Sequence, residues 1–258
     1  MIHYTLSFAQ YHQHLIHVTI KFRAQPQQKV WLPTWIPGSY LIREFARHVE
    51  RVNAHSIGNH LNINSVDGSE LNDSVNNTAK LSNSNQALVI QKISKNQWQL
   101  QNQQAMDIEV NYQVYAYDLS VRGAYIDDER LYVNPAAVCM GVEGQEDQPV
   151  KLCLEIPKVL SHFTLATGLS QTSHTDTRYE LNAQHYSELI DQPFELAEQT
   201  TITFDAEQIS HRLAISGKHQ ANMARLTADL EKICSAQIKL FGDAPFKDYL
   251  FMVMATAN

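Results

Sequence analysis

The chain has 258 residues, 44% hydrophobic and 18% charged, the balance of a globular protein with room for one large core or two smaller ones. No apolar run approaches the roughly 18 to 20 residues that span a bilayer, and the opening Met1-Ile2-His3-Tyr4-Thr5-Leu6 lacks the basic and apolar regions of a secretory signal, so a cytoplasmic location away from membranes is expected. Twenty basic against 27 acidic residues give a formal charge of -7 without a Lys/Arg stripe, which argues against nucleic acid as a partner.

Period-two alternation dominates the first two-thirds. Ile2, Tyr4, Leu6 and Phe8 predict one strand and Ile16, Val18, Ile20 and Phe22 the next, with Tyr11-His12-Gln13 at or near a hairpin turn. Trp31-Leu32-Pro33-Thr34-Trp35-Ile36-Pro37-Gly38-Ser39-Tyr40 reads as a rigid corner, because two prolines fix φ and Gly38 allows a sharp turn. Leu41 to Val49 would cover that corner as a short helix or strand. Between Gly58 and Gln86, the density of Asn, Ser, Asp and Gly, as in Asn62 to Ser69, predicts exposed loops joining short strands.

Ile108, Val110, Tyr112 and Val114 predict a further strand, as do Val150, Leu152, Leu154 and Ile156, with Pro157 ending the latter. Many strands without intervening helices predict a sandwich. After Gly217 the period changes. Met223, Leu226, Leu230, Ile233 and Leu240, with Ala236 filling the gap, define one face of a helix expected from near Lys218 to Phe241-Gly242. Tyr249 to Met254 is a continuous apolar run, which predicts a strand buried on both faces. A chain that ends four residues after such a strand is expected to be part of a longer polypeptide.

Cys139, Cys153 and Cys234 are odd in number and sit among apolar residues, which predicts buried reduced thiols. Twelve histidines justify a search for metal sites, yet no HExxH is present. His12 and His14 are spaced to lie on one face of a strand, with His17 near, and such a pair can hold a metal if a third ligand converges. Exposed polar histidines are the plainer reading, and the same holds for His185 with Glu188 at i, i+3. GxSxG, GxxxxGK[ST] and GxGxxG are all absent. Asp127-Asp128-Glu129 offers carboxylates for a cation or ammonium, although such a run is commonly a solvated turn. Tyr40 is read either as packing in the corner or as facing a ligand groove.

Trp35-Ile36-Pro37-Gly38-Ser39-Tyr40-Leu41-Ile42-Arg43-Glu44-Phe45-Ala46-Arg47-His48-Val49 resembles the N-terminal signature of the glycyl aminopeptidase family, gluzincin zinc metallopeptidases with a PDZ domain. The order of later segments agrees: Tyr117 to Arg122, Ala124 to Arg130, Val142 to Asp147, Glu188 to Glu195 and Phe241 to Phe246. The resemblance covers nearly the whole chain. It implies a mainly β fold: an N-terminal β-sandwich over 1–198, then over 199–258 the opening strands and one long helix of a thermolysin-like α+β catalytic domain.

In that family the zinc ligands, the catalytic glutamate and the PDZ module follow these segments, so no catalytic or metal-binding residue is carried over and no cofactor is expected in this chain. Zinc is expected in the full-length protein, with a peptide as its partner. Related enzymes use a polar side chain of the sandwich to hold the substrate's free amino group. The resemblance places Asn134, in Leu131 to Ala137, in that position, beside Asp128 and Tyr40 as substrate-binding candidates. The reading implied is an N-terminal, inactive fragment of a zinc aminopeptidase that removes small N-terminal residues. The alternative is a free-standing β-sandwich that binds peptides without catalysis. A small metal-binding protein built on His12, His14 and His17 ranks last.

Overall fold

A computed structural model of the protein describes residues 1–36, 39–58 and 85–256. The Asn62 to Ser69 run expected to form loops, Pro37 and Gly38 of the corner, and the last two residues lie outside the described residues.

The two alternating patterns at the start form antiparallel strands, Ile2–Gln10 and Leu15–Ala24, in which Ile2, Tyr4, Leu6, Phe8, Ile16, Val18, Ile20 and Phe22 are buried in the core. A 3-10 turn at Tyr11–Gln13 joins them, and His14 closes it in the left-handed conformation. Leu15–Ala24 pairs in full register with Met106–Tyr115, and Ile2–Gln10 pairs in parallel with Val150–Glu155. These four strands are the centre of an eight-stranded sheet. Two four-stranded sheets accompany it, one including Arg130–Val133 and Phe194–Ala197, the other Lys29–Trp31 and Gln97–Leu100. Inward side chains of all three sheets form one core, in which Phe8 meets Phe194 edge to face at 6.4 Å. Each buried Ile, Leu or Phe there contributes about 1.5–3 kcal/mol.

One buried segment in this core lacks strand partners for its carbonyls. After the 3-10 turn Pro135–Ala137, residues Val138, Cys139 and Met140 are fully buried. Their carbonyl oxygens accept hydrogen bonds from three buried tyrosine hydroxyls: Tyr112 to Val138 at 2.7 Å, Tyr186 to Cys139 at 2.8 Å and Tyr4 to Met140 at 2.7 Å. The Met140 N–H donates back to the Tyr112 hydroxyl at 3.0 Å. Desolvation raises all three phenols well above their usual pKa, so they stay donors.

A smaller three-stranded sheet holds Gln199–Ala206, Ile209–Ser216 and Asp248–Met254. Its hairpin turns through Glu207 and Gln208, both at positive φ, the twist that suits a two-residue connection. Asp248–Met254 pairs in parallel with Ile209–Ser216, which requires a crossover, supplied by a helix. Two α-helices are described, α1 (Tyr186–Asp191) and α2 (Met223–Phe241). No described helix is long and apolar enough to cross a membrane.

The sequence-based expectation for α2 needs correction at its start. The helix begins at Met223, not near Lys218, because the Asn222 side chain accepts from the Arg225 N–H and caps it there. Gly242 ends it at φ 80 as expected. The expected apolar face is also partly wrong. The stripe facing the sheet runs through Leu230, Cys234 and Ile238, which join Phe204, Ala206 and Phe251, whereas Ile233 and Leu240 are exposed. The step of four keeps a side chain over one line of the sheet, and Ile233 and Leu240 lie off that line. Tyr249 to Met254, read as buried on both faces, lies in Asp248–Met254, an edge strand among the described residues, with Tyr249 and Val253 exposed. Leu250, Met252 and Met254 are half-buried, and Met252 and Met254 lie where the strand meets Arg130, Tyr132 and Glu195 of the larger core.

Replacing Tyr112 by Phe removes the donor to Val138 and the acceptor for Met140 while keeping the ring. The expected loss is about 1–3 kcal/mol, read as a lower urea midpoint with an unchanged m-value. Gly217→Ala is expected to loosen the small sheet, since the glycine sits at φ +83 and an added Cβ would meet the Ala255 carbonyl oxygen at 2.3 Å. Faster amide exchange in Asp248–Met254 would register it.

Candidate functional site

The corner segment is pinned at both ends. The Trp35 indole N–H donates to the Ser39 carbonyl at 2.6 Å, and the Arg43 N–H donates to the Thr34 carbonyl at 2.5 Å. A 3-10 turn at Phe45–His48 then anchors it by burying Phe45 and Ala46. The loop between these anchors holds Tyr40, Leu41 and Ile42 in solvent.

Leu41, Arg43, Arg47, His48, Tyr115 and Asp118 line a cleft of about 540 Å³ beside this loop. Arg47, His48 and Asp118 also border a second concavity with Tyr117, Leu119 and Tyr125. Leu119 and Tyr125 in turn wall a third, which reaches Arg130, Tyr132, Glu195 and the Met252 to Met254 end of the edge strand. Shared lining residues set the three concavities side by side in a row, a trough in outline, from the corner loop to the small sheet.

Its wall is aromatic and its floor ionic. Tyr117 stacks on Tyr125 at 5.1 Å, and His14 lies 4.1 Å from Tyr117 with Nδ1 at 2.6 Å from the Ile126 carbonyl. Asp118 accepts from the Ser120 N–H at 2.9 Å and lies over Gly123, where a Cβ would come within 2.8 Å of its Oδ2. At the floor Arg130 and Glu195 form an ion pair, with side chains 12% and 1% exposed. Ser216 Oγ donates to Glu195 at 3.1 Å and Gln199 Nε2 at 3.4 Å. Nε and Nη1 of Arg130 are buried without a partner among the described residues.

Burial lowers the Arg130 pKa, against the opposing pull of Asp127 and the neighbouring tyrosines. Burial pushes Tyr132 up to about 12, with Arg130 pulling the other way, and its hydroxyl donates to the Val121 carbonyl at 2.7 Å. Burial also raises Tyr125, helped by Asp127 and Tyr117. Burial and then Arg47 hold His48 below the usual imidazole range, against Asp118. That agrees with a neutral ring whose Nε2 accepts from Arg47 Nε at 2.9 Å.

Of the candidates read from the sequence, Tyr40 is fully exposed on the corner loop. Asp128 is exposed in a tight turn that Asp127 closes by accepting from the Glu129 and Arg130 N–H groups, both at 2.9 Å. Asn134 is buried; its Oδ1 accepts from the Ala136 N–H at 3.1 Å and its Nδ2 donates to the Val121 carbonyl at 3.3 Å. Val121 borders the floor cavity, so Asn134 sits behind it. Residue-level reading missed Arg130, Glu195, Asp118 and His48 as site groups. For Glu195 a signal existed: an acid between Phe194 and Leu196 in a strand buried at every position.

The histidines considered as metal ligands have other roles. His17 Nε2 lies 2.7 Å from Gln10 Oε1, and His12 packs on Tyr11. His185 caps α1 by accepting from the Glu188 N–H at 3.1 Å, while Glu188 accepts from the Gln184 N–H at 2.5 Å. Among the described residues no three His, Cys, Asp or Glu side chains are grouped so as to hold a metal ion.

Residues 3–76 and 69–198 match the peptidase M61 N-terminal domain. The crystal structure of an aminopeptidase N family protein from Idiomarina loihiensis is 38% identical, with a TM-score of 0.84 over all of this chain and 40% of that one. Two crystal structures of an M1 zinc metallopeptidase variant from Deinococcus radiodurans share the fold. One has a TM-score of 0.56 at 8% identity and the other, bound to a Tyr-Ser-Ala substrate, 0.54 at 9%; each match covers all of this chain and 56% of that one. The chain thus spans well under two-thirds of these proteins. No curated protein sequence matches it.

Glu195→Gln leaves the Arg130 charge buried without its counter-ion and is expected to cost about 3–5 kcal/mol, measured by denaturant unfolding. An Arg130→Met/Glu195→Leu double variant is expected to recover most of that loss. The His48 ring is expected to titrate below the 6.5 of a free imidazole, with Arg47→Ala moving the NMR midpoint upward. Because the folded state binds this proton less readily than the unfolded chain, the contribution of His48 to stability is present above pH 6.5 and fades as pH falls through its folded midpoint.

Proposed function

The chain belongs to the peptidase M61 N-terminal domain family, and from that premise we propose that it is the substrate-walling part of a zinc-dependent aminopeptidase. The observation that carries the reading is the trough, which leads from the family-signature loop to the edge of the small sheet, where a catalytic domain would continue. In this reading 1–198 is the sandwich and 199–258 the start of that domain. The parent protein is of the glycyl aminopeptidase type, with a PDZ module and an HExxH zinc site outside this sequence. Zinc there would polarise the scissile carbonyl and activate water; the residues present here bind and orient.

A peptide lying in the trough meets the stacked Tyr117 and Tyr125 along its wall. Asp118 is the acid nearest the middle of the trough. Tyr40 reaches the substrate from the loop and Asp128 from its turn, and Asn134, behind the lining, contributes by holding the Val121 carbonyl at the floor. Small N-terminal residues such as Gly or Ala suit the narrow end beside Met252 to Met254. The three reduced, buried cysteines support a cytoplasmic setting.

Calorimetric titration of the 258-residue chain with trialanine and with its N-acetylated analogue tests this. Binding of the free-amino peptide and its loss on acetylation are expected, without turnover of alanine p-nitroanilide in the presence of zinc. Equal binding of both peptides, or of neither, overturns the substrate assignment. Turnover overturns the inactivity.

A further inference from the structure

A second cleft, of about 760 Å³, lies on the other flank of the corner segment and shares no lining residue with the trough. One wall carries Trp31 and Trp35; the other is α1 with Glu188, Asp191 and the following Gln192. Both indoles are held in place. Trp31 packs edge-on to Tyr186 at 5.5 Å and lies so near Gly141 that a Cβ there would come within 3.0 Å of its ring. Trp35 is tied to Ser39 through its N–H while half of its surface remains exposed.

The electrostatics of this cleft are one-sided. Its lining contains two carboxylates and no Lys or Arg. Asp191 is exposed at the C-terminal end of α1, where the helix carbonyls already carry partial negative charge, and no basic residue occupies that last turn. Asp and Glu are favoured at the opposite end of a helix, so this placement is locally unfavourable and a cation in the cleft would relieve it. Neither Glu188 nor Asp191 has a basic partner among the described residues. Aromatic rings in one cleft with carboxylates that lack basic partners are surroundings that attract organic cations.

We propose that the cleft between Trp31/Trp35 and the C-terminal end of α1 binds the lysine or arginine side chain of a peptide. The cation lies against the indoles with its N–H groups toward Asp191, and Glu188, already capping α1, adds field without leaving its place.

Three tryptophans give three indole N–H resonances, and Trp98, buried in the core, is an internal control. The probes are N-acetyl-lysinamide, N-acetyl-argininamide and neutral N-acetyl-glutaminamide; their blocked amino groups remove any binding that depends on a free amino terminus in the trough. The basic amides are expected to shift the Trp31 and Trp35 signals saturably and to leave Trp98 unmoved, with the glutamine analogue inert. Asp191→Asn and Trp35→Ala should each weaken binding about threefold or more, Trp35→Phe should restore part of it, and Asp191→Lys should abolish it. Equal shifts from the glutamine analogue, unchanged affinity in Asp191→Asn and Trp35→Ala, or tighter binding of spermidine than of either amide would overturn the assignment.

Discussion

Three tyrosine hydroxyls inside the sandwich hold the unladdered segment Val138 to Met140, and much of the structure follows from that arrangement. Bare peptide carbonyls in an apolar core cost too much to bury without donors. Tyr4 and Tyr112 rise from the eight-stranded sheet and Tyr186 from α1, so satisfying the segment ties sheet and helix to one register. The segment's entry point is Asn134, whose side chain closes the turn before it and reaches Val121. Ala137 at the end of that turn borders the trough. The polar network in the interior therefore sets where the groove outside it lies.

A second polar centre joins the sandwich to the smaller sheet. Glu195, in a strand of the sandwich, receives Arg130 from the neighbouring strand, Gln199 from the strand that follows and Ser216 from the small sheet. Arg212 adds a bond to the Thr167 carbonyl at 2.9 Å. The apolar contact set of the small sheet and α2 is limited, so these directional bonds carry much of the orientation at the junction. An ion pair used this way specifies geometry more than it stabilises. The floor of the trough and the junction of the two sheets share one carboxylate.

How much was legible follows from how local each signal is. Strands such as Ile2–Gln10 and Met106–Tyr115 were readable because burial of one face imposes period two directly. α2 was readable as a helix but not as a face, since Ile233 and Leu240 fit the spacing while the partner sheet selects Leu230, Cys234 and Ile238. The Glu207-Gln208 turn carries no glycine or asparagine and so gave no warning of its positive φ. The trough was the least legible part. Arg47, the Asp118 to Tyr125 stretch and Glu195 are far apart along the chain, and only the fold brings them to one surface. The aromatic and proline density of the corner segment marks rigidity and does not reveal what the loop borders.

The three cysteines occupy three different layers: Cys139 beneath the tyrosine hydroxyls, Cys153 within the eight-stranded sheet and Cys234 between α2 and the small sheet. Burial raises each thiol above its ordinary pKa, Cys153 to about 11, so none offers a reactive thiolate while its surroundings are closed. The native chain consequently carries its own set of clocks. The rate at which each sulfur becomes accessible to a thiol reagent measures how often its own layer opens, separating fluctuations at the helix and small sheet from disruption of the sandwich.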